Sequence, residues 1–106
     1  MKAALREDLE KACRELQGFL AGKTREDLQH DRALQLIVER EFEIIGEALH
    51  RLLQHDEQAF GKISDGRRII GMRNILAHGY DRIDYAILFD AYQQNLPLLR
   101  QEREDL

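Results

Sequence analysis

The chain has 106 residues, the length of a single domain able to bury one core. With 43% apolar and 34% charged residues, one proline and no tryptophan, it reads as a helix-rich globular protein rather than a disordered one. No apolar run approaches the roughly 20 residues that span a bilayer. The opening "MKAALREDLEKACREL" lacks the uninterrupted apolar stretch of a signal peptide. The single cysteine, Cys13, cannot form an internal disulfide, which fits a cytoplasmic protein.

The net charge of −4 argues against a nucleic-acid partner, but its distribution does not. From Lys62 to Arg82 there are five basic residues against two acidic, and the rest of the chain has 11 against 18. Either a phosphate-binding surface or a solvated helix face accounts for such a cluster.

Every segment carries a helical period. In the first, Leu5, Leu9, Ala12, Leu16 and Phe19 fall along one face, and Gly22 ends it. Thr24 with Asp27 resembles a capping pair opening a short turn. A long amphipathic helix follows from about Asp31, with Leu34, Ile37, Val38, Phe42, Ile45, Leu49 and Leu52 as its buried stripe. Gly46 in its middle costs about 1 kcal/mol relative to alanine, which is tolerable where another helix comes close. After a looser polar stretch, "HDEQAFGKISDG", a third helix is expected from about Gly66 to His78, ended by Gly79 in the left-handed conformation.

The last segment aligns Tyr85, Leu88, Phe89, Tyr92, Leu96 and Leu99, with Pro97 expected to kink it. Tyr85, Phe89, Tyr92 and Leu96 read as core residues or as apolar surface for a second copy. Four amphipathic helices without a strand pattern predict an all-α, antiparallel four-helix bundle as one domain over residues 1–106.

The chemistry concentrates in "GMRNILAHGY". Five residues on a helix place Arg73 and His78 about 7.5 Å apart along the axis and about 140° apart around it, so they can flank a groove but share no tight face. A histidine in the last turn feels the negative end of the helix dipole. Arg73 offers a planar fork of donors suited to phosphate, and Asn74 adds a neutral donor and acceptor beside it. A histidine that moves the 2′-hydroxyl proton or protonates the leaving oxygen, with an arginine on the phosphoryl group, is enough to cleave RNA without a metal. A surface ion pair plus a helix cap is the competing account of so short a pattern.

The longer string is more specific. "GMRNILAHGY" resembles the Arg-x4-His-x-Tyr signature of the HepT-like toxins, within the HEPN superfamily of helical RNA-binding and RNA-cleaving domains. "EFEIIGEALHRL" is similar to that family's second-helix pattern, and "LPLL" to its proline-containing last helix, so the likeness runs from Asp31 onward. Where the family often has a proline and an aromatic before the third helix, this chain has "SDGRR".

The resemblance implies a HEPN-like bundle and a metal-independent endoribonuclease that needs no cofactor. It implies a homodimer whose two motifs face one cleft, and a small nucleotidyltransferase antitoxin as partner. RNA is then the substrate, with neither DNA nor a membrane expected. Arg73 and His78 become catalytic, and Tyr80 the tyrosine that the partner adenylylates. Asn74, beside the motif arginine, and Arg67 and Arg68, from the basic segment, are expected as substrate contacts. The alternative is a non-catalytic domain that holds nucleotide or RNA for the nucleotidyltransferase.

Other clusters are weaker. Glu47 and His50 have the Glu-x-x-His spacing of di-iron bundles without a second such pair, and His50 with His55 closes no zinc site, so no metal is expected. Glu39, Glu43 and Glu47 recur every four residues as a charged face that borders the cleft only if the second helix lines it.

Overall fold

A computed structural model describes residues 2–78 and 83–106, and of residues 2, 74, 75, 77, 78 and 105 the backbone only. Among them are four long helices, α1 (Lys2–Leu20), α3 (Arg32–His55), α5 (Gly66–His78) and α6 (Tyr85–Glu102). Two short helices, α2 (Arg25–His30) and α4 (Glu57–Phe60), and a terminal 3-10 turn (Arg103–Asp105) complete the fold. The described residues contain no strand, and no helix among them is long and apolar enough to cross a membrane. The all-α bundle expected from the periodicity is the fold observed.

Local chemistry sets the helix ends. Gly22 takes a positive φ of 74° just past α1, a conformation that costs a residue with a Cβ more than it costs glycine. Thr24 and Asp27 form a reciprocal capping box, each side chain accepting from the other's backbone N–H, and this nucleates α2. Asp31, Asp56 and Asp84 cap α3, α4 and α6 by accepting from Leu34, Ala59 and Ala86 N–H. The stretch expected to be loose therefore holds a capped helical turn, whose Ala59 and Phe60 are buried. Helix α5 begins at Gly66 as expected despite "SDGRR". Helix α6 continues on both sides of Pro97, where the ring removes the amide that would bond back to residue 93. The ending expected at Gly79 lies outside the described residues.

The buried side chains form one core drawn from every helix, including Leu9, Leu16, Phe42, Leu49, Ile69 and Leu96. Phe19 departs from expectation, for it is 46% exposed while Leu20 is fully buried. Steps of four, four, three and four residues lead from Leu5 through Leu9, Cys13 and Leu16 to Leu20, and Phe19 falls off that line. Phe89 and Leu96 are likewise buried within the monomer, with Phe89 edge-on to Tyr92 at 5.4 Å between ring centres. They are therefore not the surface offered to a second copy.

The two ends of the chain are tied together antiparallel. Arg6 donates to the carbonyl of Leu106, and Arg100 and Arg103 both bond Glu10. Arg100 also reaches Gln17, further along α1. These arginines, Arg100 first, hold the Glu10 carboxyl below its usual range. Burial pushes the Cys13 thiol up to about 12, which leaves it a small core hydrophobe with little thiolate.

Glu41 is a polar group that the core accommodates poorly. It is 8% exposed, and its Oε2 has no hydrogen-bond partner among the described residues. Burial, and then the Glu15 carboxylate, push its carboxyl above the usual value. An acid whose pKa is higher folded than unfolded favours the native state fully below its unfolded pKa, and that benefit is lost as pH rises through the folded value. At neutral pH the buried charge is thus a cost. We expect Glu41→Met to gain about 1 kcal/mol at pH 7, or about 4–8 °C in melting temperature, and the gain to shrink toward pH 4. Unchanged or lower melting of the variant at pH 7 would show that the carboxylate is satisfied.

Candidate active site

The site begins with the packing of α3 against α5. On α3, Ile45 and Ala48 point into the core, Gly46 is buried and Glu47 stays at the rim. On α5, Ile69 and Met72 fill the core and the next residue, Arg73, emerges at its edge. A Cβ placed on Gly46 would lie 2.5 Å from Arg73 Cβ and 3.1 Å from both Cγ and Cδ. The arginine stem therefore lies directly on the α3 backbone, in space that only glycine leaves open. The close helix approach anticipated at Gly46 is real, and Arg73 is what approaches.

The guanidinium is then fixed from the next residue of α3. Arg73 Nη2 pairs with Glu47 Oε2 at 2.8 Å, while Glu47 Oε1 accepts from Arg51 Nε at 3.0 Å. The Arg73 side chain is 31% exposed, so its head reaches solvent while its stem is packed. It lines an open cavity of about 350 Å³ between α1 and α3 that also includes Arg40, Glu43, Ile44 and Asp8. A guanidinium has five N–H donors, so an ion pair through one nitrogen leaves most of the fork for a ligand.

Helix α5 carries the backbone from Arg73 through His78, its last residue. The side chains of His78 and Asn74 lie outside the described residues, as does Tyr80. Arg67 and Arg68 are described, and the structure does not bring them to Arg73. They line a different cavity, of about 450 Å³, with Phe60 and Ser64, and Arg67 lies 5.7 Å from the centre of the Phe60 ring. Five or six residues along a helix turn them well away from Arg73.

Glu39, Glu43 and Glu47, four residues apart on α3, meet different partners. Glu47 holds Arg73, and Glu43 lines the same cavity, 3.8 Å from Arg40. Glu39 instead accepts from the Tyr85 hydroxyl at 2.5 Å and from Arg32 at 3.2 Å, joining the starts of α3 and α6. Burial first, and then this bond to Glu39, raise the Tyr85 phenol. No cluster of three potential metal ligands occurs among the described residues. The sequence signal for the link between Glu47 and Arg51 is a Glu four residues before an Arg.

Residues 9–106 match the family described as Ribonuclease HepT-like. The chain belongs to the HepT-like ribonuclease family. A protein of Methanocaldococcus jannaschii named "Putative RNase" is 31% identical over 75 residues, which is 71% of this chain and 68% of that one. Another "Putative RNase", from Caldanaerobacter subterraneus, is 30% identical over 81 residues, covering 76% of this chain and 71% of its own. No solved structure matches the chain significantly. Within this HepT-like chain, the Ile-Gly-Glu-Ala stretch at 45–48 has a physical reading. It supplies a core anchor, a gap for the arginine stem, a carboxylate for its head and a second core anchor.

Proposed function

We propose that this protein is a metal-independent endoribonuclease, with Arg73 and His78 as its catalytic pair. The observation that carries the reading is the seating of Arg73, whose stem is locked on Gly46 and whose head is steered by Glu47 at the edge of an open cavity. A surface ion pair needs no such seat, whereas stabilising charge on a phosphoryl group needs a donor fixed beforehand. In this reading His78 takes the proton from the 2′-hydroxyl. The O2′–P bond forms, the P–O5′ bond breaks, and the leaving oxygen receives a proton from the second histidine of a homodimer whose two motifs share one cleft. Asn74, Arg67 and Arg68 bind RNA further along the strand. Family membership and the two RNase-named relatives support the substrate class.

The resemblance extends the proposal to a cytoplasmic toxin whose antitoxin is a small nucleotidyltransferase that adenylylates Tyr80. A bulky anionic AMP there competes for Arg73. Purified protein is expected to sediment as a dimer and to shorten single-stranded RNA in EDTA. Co-incubation with the nucleotidyltransferase and ATP should stop cleavage and add AMP to Tyr80, while Tyr80→Phe stays active. Intact RNA under all conditions would favour the non-catalytic binding domain. AMP found on another residue, or a silenced Tyr80→Phe, would remove the control mechanism and leave the nuclease.

A further inference from the structure

Glu47 divides its carboxylate between two arginines from different helices, Oε1 to Arg51 of α3 and Oε2 to Arg73 of α5. An ordinary pair on a helix surface would join Arg51 to Glu47 alone. Here one acidic group gathers two guanidiniums, and the trio keeps a net positive charge. Both arginines line the same cavity, whose lining also includes the apolar Ile44 and Ala48. Arg51 is the more open of the two, at 60% side-chain exposure.

We propose that Arg51 is a second phosphate-binding residue of the RNA cleft. Arg73 takes the scissile phosphodiester, and Arg51 takes the neighbouring phosphate of the same strand. Ile44, half-buried on the same cavity wall, packs against a nucleoside of that strand. The planar fork suits each phosphate, and a shared carboxylate holds the two forks in register without using up their donors. This assignment rests on the reading of Arg73 as the ligand of the scissile phosphate.

A short single-stranded 2′-O-methyl RNA, which has the phosphates but no free nucleophile, separates the claims. Its binding is followed by fluorescence anisotropy across a salt series. Arg51→Ala should weaken binding about tenfold and lower the slope of log affinity against log salt by about 0.7, the value for one phosphate contact in a single strand. Circular dichroism should stay unchanged. The double variant Glu47→Gln with Arg51→Ala should bind no better than Arg51→Ala alone. Recovery of affinity in the double variant would show that Arg51 only neutralises Glu47, and would overturn the proposal. So would an Arg51→Ala protein with unaltered affinity and slope. If Arg51→Ala weakens binding while Arg73→Ala does not, Arg51 stands as an RNA contact and the reading of Arg73 fails. No binding by the unmutated protein would overturn both.

Discussion

Replacing His78 by alanine should lower kcat for RNA cleavage by about 10²–10⁴-fold, the usual contribution of a positioned acid or base. Arg73→Ala should cost about 10²–10³-fold, as when one donor to a developing charge is removed. Neither change should unfold the protein. His78 is the last residue of α5, and Arg73 keeps its head in solvent, where an ion pair such as that with Glu47 contributes about 0–1 kcal/mol. Arg73→Lys retains the charge and most of the stem but loses the planar fork, so it should recover stability and little of the rate. Single-turnover cleavage of a labelled RNA and thermal melting by circular dichroism, run on the same samples, check this. Activity falling only in step with melting temperature would return both residues to a structural role.

The second large effect is expected from the smallest substitution. Gly46→Ala adds one methyl group, and as a helix former alanine should gain about 1 kcal/mol. That methyl would meet Arg73 Cβ at 2.5 Å, well inside the roughly 3.5–4.0 Å at which carbon atoms rest in contact. Both atoms are attached directly to backbone, so no rotamer change relieves the overlap and α3 must move away from α5. Overpacking of this kind costs about 1–3 kcal/mol, enough to cancel the helix gain and leave the protein less stable. The helix shift also carries Arg73 off its seat, and a displacement of about 1 Å is worth about 10²-fold in rate.

Gly71 supplies the control. It lies in α5, and a Cβ there would meet nothing within 4 Å among the described residues. Gly71→Ala should therefore raise stability by about 0.5–1 kcal/mol with cleavage retained. If Gly46→Ala melts as high as Gly71→Ala and cleaves RNA equally well, the seat of Arg73 is not what positions it.

The all-α architecture and several helix ends were legible in the sequence because they depend on local rules. Apolar residues at three- and four-residue steps can form a stripe only on a helix, and Thr24, Asp27 and Asp31 find their hydrogen-bond partners within three residues. Gly46 signalled a close contact because a glycine inside a helix is unfavourable unless something needs the space. What the period could not decide was which neighbour each face meets. Phe19 and Leu20 are adjacent in sequence and both apolar, and only the packed bundle determines that Leu20 points inward. Glu39 and Glu47 are equivalent by spacing, yet Tyr85 meets one and Arg73 the other, because the first residue of α6 reaches α3 at Glu39 while α5 packs against it at Glu47. Spacing alone pairs Arg51 with Glu47, and only the fold brings an arginine 22 positions later to share that carboxylate. Periodicity assigns a residue to a face; only the neighbouring helix decides what that face can bind.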